Sequence, residues 1–190
     1  VNRARWARIA LLGAVLALGA VPASAQRYVT QSGTVSFIST APLQSFRGTS
    51  KTLNAEVSFS SKRVSFFVDL ETLDSGNARR DRDMRQNFLE TARFPFAIFN
   101  GSFSADLDPA TLTEAAVEVE GVFELREIRK PLVVRGTVTR VPEGIRVVAS
   151  WTLALSDFGI ERPRVLLYEL SETLTLEIDI VLRPDSGSLR

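Results

Sequence analysis

LDSGNARRDRDMRQNFLETARFPFAIF, residues 73–99, is the stretch on which the reading of this chain turns. Four arginines (Arg79, Arg80, Arg82, Arg85) and two aspartates (Asp81, Asp83) fall within seven residues after a Ser75-Gly76 turn, and a Phe94-Pro95-Phe96 corner closes the segment. On either side the chain reads as strands, so this charge-dense piece is the odd element of a β-framework. A glycine turn, a run compatible with helix and a proline corner predict a single capping helix, over residues 77–90, or an ordered loop. Such an element either plugs the end of a barrel or guards the mouth of a cavity.

Outward from it, period-two alternation dominates. Odd positions from Ile145 read Ile145, Val147, Ala149, Trp151, Leu153, Leu155, and even positions from Leu174 read Leu174, Leu176, Ile178, Ile180, Leu182 against Thr173, Thr175, Glu177 and Asp179. Val117, Val119, Phe123 and Leu125 face away from Glu118, Glu120 and Glu124, while Leu132, Val134 and Val138 face away from Arg135, Thr137 and Thr139. This is the signature of half-buried antiparallel strands. With further runs at 33–39, 49–59, 63–71 and 96–106, the count is eight. Turn signals at 60–62, 108–109, 127–130 and 142–144 place short hairpins in series. About eight such strands close into a barrel with room for packed side chains or one small ligand. A two-sheet sandwich satisfies the same pattern.

Arg3, Arg5 and Arg8 precede an apolar run over 9–21, and Ala23-Ser24-Ala25 fits a small-residue cleavage site, so residues 1–25 read as a secretory signal peptide. That apolar run falls short of the roughly 20 residues of a membrane span. The expectation is one exported domain over 26–184 with a polar, disordered tail at 185–190, periplasmic or secreted, without an integral membrane segment after cleavage. Losing the three leader arginines turns the formal net charge from +1 to −2, which argues against nucleic acid as a partner. Cysteine is absent, so stability in an oxidising compartment rests on packing.

Histidine is absent too. That removes Ser-His-Asp and Cys-His nucleophiles, zinc sites built on imidazole or thiolate, and the commonest general base near neutral pH. A carboxylate pair could still catalyse, as in glycoside hydrolysis, or a Ser-Lys pair, an option limited by only three lysines (Lys51, Lys62, Lys130). Yet Glu56, Asp69, Glu71, Asp106, Glu118, Glu120, Glu124, Glu177 and Asp179 all fall on the parity opposite the apolar face. The reading is therefore a protein with no catalytic residues, no metal site and no cofactor. The inward set is large and apolar: Phe37, Phe59, Phe66, Val68, Phe103, Val119, Phe123, Val134 and Trp151. A filled core and a greasy tunnel demand the same residues, and the pattern fits both. Arg79 with Asp83, and Asp81 with Arg85, stand at i, i+4 spacing, which makes a self-neutralised helix face; the alternative is that one or two arginines face the mouth and hold an anionic head group.

Several segments are similar to those of a known family. Thr72-Leu73-Asp74-Ser75-Gly76-Asn77, then Arg80-Asp81, Met84-Arg85, Phe88-Leu89 and Phe94-Pro95 with Ile98-Phe99 look like the TGN, RD, LR, FF and YP elements of the bacterial YceI-like family, in the same order. GVFELREIRKP (121–131) resembles its G-x-L-x-I-H-G-V-x-K-P hairpin, Asp157-Phe158-Gly159-Ile160 its DFG-hydrophobic element, and FISTAPL (37–43) a variant of its first strand and turn. The histidine usual between the RD and LR elements is Asp83 here, and the His-Gly of the hairpin is Arg126-Glu127. The resemblance implies an all-β, eight-stranded antiparallel lipocalin-like barrel with one capping helix, binding a polyisoprenoid or other long-chain lipid without catalysis. On that reading Phe37, Phe66, Val68, Phe103, Val119, Phe123, Val134 and Trp151 line the ligand site. Arg80 and Arg85 meet a phosphate or carboxylate at the mouth, with Asp157 as an orienting partner. A packed barrel that binds an envelope partner by its outer surface is the alternative, a carboxylate hydrolase or isomerase a third, and exposed strand edges allow a homodimer.

Overall fold

The computed structural model describes residues 27–41, 44–161, 164–165, 168–169 and 171–185; the expected signal peptide and nearly all of the expected tail lie outside them. Alternating apolar residues produce a closed antiparallel barrel, not a sandwich. Its strands are β1 (Arg27–Ala41), β2 (Gln44–Ser58), β3 (Arg63–Asp69), β4 (Phe96–Ser102), β5 (Glu114–Leu125), β6 (Ile128–Val141), β7 (Gly144–Ala154) and β10 (Thr173–Pro184), and the order around the barrel is β1-β10-β7-β6-β5-β4-β3-β2. Two strands of two residues, β8 (Arg164–Val165) and β9 (Tyr168–Glu169), form a separate hairpin between β7 and β10.

The eight runs read from the sequence are the eight barrel strands, but several ends differ. β1 begins at Arg27 instead of Gly33, because the register shifts on both sides of Gly33 and the bulge breaks the period-two signal. β2 begins at Gln44, not at 49. The β5–β6 turn is shorter than expected: only Arg126 and Glu127 lie between paired Leu125 and Ile128, both with positive φ (52° and 62°). Positive φ at both central residues matches the right-handed strand twist of a tight hairpin, here without the usual Asn-Gly. The capping helix is also shorter. Helix α1 covers Ala78–Asp83 and widens into a π turn at Met84–Phe88.

Inside, the parity rule holds in the strands away from the β1 bulge. All nine of the large residues assigned inward are buried, and none of the nine carboxylates assigned outward is. Glycines permit the closest approaches. Gly101 and Gly121 pair across β4 and β5, and a Cβ at Gly121 would stand 2.4 Å from the Asn100 carbonyl oxygen and 2.7 Å from the Phe99 ring. A Cβ at Gly48 would stand 2.1 Å from the Phe37 ring, which reaches it from the paired position of the neighbouring strand.

Outside, charged pairs lace neighbouring strands. Arg146 of β7 grips Asp179 of β10 bidentately, Nε to Oδ1 at 2.7 Å and a terminal nitrogen to Oδ2 at 2.5 Å. Hydrogen bonds from Arg146 hold the Asp179 carboxyl below the usual carboxylate range, against a smaller desolvation effect.

Two predictions follow from this packing. Gly121→Ala forces β4 and β5 apart and costs about 1–3 kcal/mol of stability, read as a lower urea midpoint. A depressed folded-state pKa gives stability that is present above the unfolded value near ~3.9 and is lost as pH falls through the folded value. Asp179→Asn therefore lowers the melting temperature at pH 7, and the difference from the unaltered protein shrinks as pH falls below the ordinary carboxylate range.

Candidate functional site

The barrel carries two apolar hollows along its axis. The larger, about 150 Å³, lies at the capped end; strands supply Phe37, Phe66, Val68, Phe123 and Trp151, and the cap supplies Leu73, Met84, Phe88 and Leu89. The smaller, about 70 Å³, lies among Phe99, Phe103, Val119 and Val134. Phe66 borders both. It stacks on Phe99 with ring centroids 4.9 Å apart and leans on Trp151 at 6.0 Å, so this aromatic group is the partition between the hollows.

The cap enters where β2 parts from β3. Pairing of those strands runs only from Asn54↔Phe67 to Ser58↔Arg63, and beyond it Thr49 pairs instead with Asp74. Hydroxyls fill the seam: Ser50 reaches Thr72 at 2.7 Å and Thr52 at 3.0 Å, while Ser36 meets Thr49 at 3.1 Å. Asn77 then starts α1, its side-chain oxygen accepting from the Arg79 and Arg80 backbone N–H groups. Asp81 turns inward, 6% exposed, and accepts from the Ser75 backbone N–H and hydroxyl at 3.0 and 2.5 Å.

Arg80 completes this latch. Its Nε donates to the Ser75 hydroxyl at 2.7 Å, a terminal nitrogen donates to the Ser75 carbonyl at 2.8 Å, and the guanidinium lies 4.1 Å from the centroid of the Phe46 ring. Phe46 in turn meets Phe37 edge-to-face at 5.8 Å. Among the described residues, Arg80 and Asp83 are the charged ones on the wall of the larger hollow.

The polar trio expected from the sequence is not brought together. Arg85 is outside the wall of either hollow: it donates to the Leu73 carbonyl at 2.9 Å and its Nε lies 3.8 Å from Glu71. Asp157 sits on the 3-10 turn Leu155–Phe158, whose buried residues are Leu155 and Phe158; its own side chain faces solvent and lies 3.6 Å from Lys130. The i, i+4 pairs Arg79–Asp83 and Asp81–Arg85 are absent from the ion pairs of the described residues, since Asp81 is spent on Ser75 and Arg85 on Leu73 and Glu71. Of the residues assigned to a ligand, Phe37, Phe66, Val68, Phe123, Trp151 and Arg80 line the larger hollow, and Phe103, Val119 and Val134 the smaller.

Sequence reasoning missed Phe46, which falls in a stretch without alternation, and gave no role to Arg126. The Arg126 guanidinium donates to the Gly159 carbonyl at 2.9 Å and pairs with Glu90, tying the β5–β6 turn to the 3-10 turn and to the end of the cap. Among the described residues no three acidic side chains gather to hold a metal, and no helix is long and apolar enough to cross a membrane.

Fold and site together define a lipocalin-like barrel with an apolar, capped interior. The YceI-like domain model matches residues 27–182, and the chain belongs to that family. Among solved structures it resembles a polyisoprenoid binding domain from Saccharophagus degradans implicated in plant cell wall breakdown, at TM-score 0.70 and 16% identity, covering 84% of this chain and 98% of that one. It also resembles Burkholderia cenocepacia BcnA (TM-score 0.66, 14% identity, 79% and 94% covered) and the Campylobacter jejuni YCEI protein (0.57, 16%, 73% and 84%). No curated protein matches the sequence.

Removing the carboxylate of the latch tests its weight. Asp81→Ala leaves the Ser75 N–H without its acceptor and costs about 1–3 kcal/mol. Amide hydrogen exchange then accelerates over residues 73–90 and stays slow in β5–β7.

Proposed function

We propose that this protein is an exported, non-enzymatic carrier that holds a long apolar amphiphile, a polyisoprenoid or fatty chain, along the barrel axis. The observation that carries this reading is a lumen walled almost wholly by apolar side chains and roofed by a separately latched cap. The polyisoprenoid-binding description of the Saccharophagus degradans relative supports it. So does the absence of histidine and cysteine, together with strand carboxylates that stay out of the interior.

Affinity comes from taking the chain out of water, about 0.8 kcal/mol per buried methylene before ordering costs. The hollows are smaller than the roughly 300–1,000 Å³ of ordinary ligand pockets. Loading a long chain therefore requires the cap side chains to withdraw and Phe66 to swing aside, which merges the two hollows. Met84 suits such a roof, being unbranched and adaptable.

The experiment is native purification, organic extraction and mass spectrometry of the extract, followed by thermal melts with added polyprenyl phosphates, quinones and fatty acids. A stoichiometric chain in the extract supports the reading. A ligand at 100 times its dissociation constant adds about 2.7 kcal/mol, which raises the melting temperature by roughly 5–10 °C. A second reading, a packed barrel that binds an envelope partner, rests on Phe67 and Phe96, an edge-to-face pair at 5.7 Å left 41% and 44% exposed on the outer sheet. An empty extract with melts that no lipid shifts, and a partner lost on Phe67→Ser, favours that one.

A further inference from the structure

One donor in the barrel interior has nothing to bond. Trp151 is 6% exposed and lines the larger hollow, and its Nε1–H is buried without an acceptor. Leaving such a group unpaired costs about 1–3 kcal/mol. Two other polar residues on the same wall are engaged, Ser36 with Thr49 and Arg80 with Ser75, and Asp83, a carboxylate, carries no proton to donate near neutral pH.

We propose that the Trp151 Nε1–H is the recognition point for an uncharged oxygen carried by the ligand, a carbonyl, ether or hydroxyl, which sits inside the barrel at the aromatic partition. This rests on the carrier reading of the same site and names the class of molecule it takes. Charge decides against an anionic group at that depth. An ionised phosphate or carboxylate buried in an apolar wall needs a cation beside it. Among the described residues Arg80 is the one cation on the wall, its guanidinium is bonded to Ser75 and lies on the Phe46 ring, and the Asp83 carboxylate shares the same wall. A neutral oxygen carries no such penalty and relieves the unpaired indole.

The test uses full-length protein with cyclopentanone and cyclopentane. An apolar cavity of about 150 Å³ admits molecules of benzene size, so these probes enter without the rearrangement a long chain needs. The expected result is a downfield shift of the Trp151 indole proton resonance on adding the ketone and none with the hydrocarbon. Trp151→Phe weakens ketone binding about five- to tenfold and cyclopentane binding less than twofold. The indole shift is read on the unaltered protein, so a poorly folding variant does not remove the test. An indole resonance unmoved at saturating ketone, or equal losses for the two probes, overturns the proposal. Entry of neither probe also overturns it, whereas the carrier reading is decided separately by the extract and the melts.

Discussion

The ladder between the first strand and the last is the constraint on which everything else rests. β1 bonds β10 on one side and β2 on the other, and that closure makes inside and outside a property of the whole sheet. A slip of one residue anywhere would carry a strand's apolar set to solvent and its charges into the lumen. The bulge at Gly33 lets a strand of 15 residues bend enough to serve both neighbours. Closure also leaves no unpaired edge along most of the circumference, which removes the usual route to strand-on-strand aggregation.

Where closure is incomplete the chain substitutes a different kind of chemistry. The first half of β2 has no β3 partner, and the gap is covered by hydroxyl contacts, one bridge to Asp74 and the Ser75–Asp81–Arg80 latch. Apolar burial is strong and indifferent to direction, whereas these hydrogen bonds are few, local and geometric. The wall rests on apolar burial and a continuous ladder, whereas the roof adds to its apolar contacts a small set of local hydrogen bonds that fix where it sits. Arg126 belongs to that set, since it holds the far end of the cap through Glu90 while bonded to the Gly159 carbonyl.

Much of this was legible in the residues. Alternation in β5, β6, β7 and β10 names both the strands and the side of each that is buried, because a closed barrel enforces period two wherever the ladder is unbroken. It failed at the front of β1, where the bulge inserts a residue, and at Phe46, where alternation is interrupted by Gly48. The charged segment was read correctly as a cap, yet its internal pairing was not. Spacing predicts Asp81 opposite Arg85 on an α-helix, but spacing is blind to a buried competitor. Ser75 takes Asp81 first, the helix opens into a π turn, and Arg85 goes to the Leu73 carbonyl. Family motifs placed Asp157 near the site by sequence order alone; a turn that buries the residues on either side of its centre sends that carboxylate to water. Whether the core is hollow was never in the pattern, since it depends on how rings stack, as Phe66 does on Phe99.

The roof and the floor of the larger hollow each carry a residue found nowhere else in the barrel. Met84, the chain's one methionine, faces the hollow from the cap, and Trp151 faces it from the aromatic partition; the other tryptophan, Trp6, belongs to the stretch read as a signal peptide and falls outside the described residues. Isotope labelling at a single methyl and a single indole would thus place one reporter at each boundary of the cavity. The motion of the doorway and the filling of the chamber can then be timed separately, in one sample, without introducing a foreign probe.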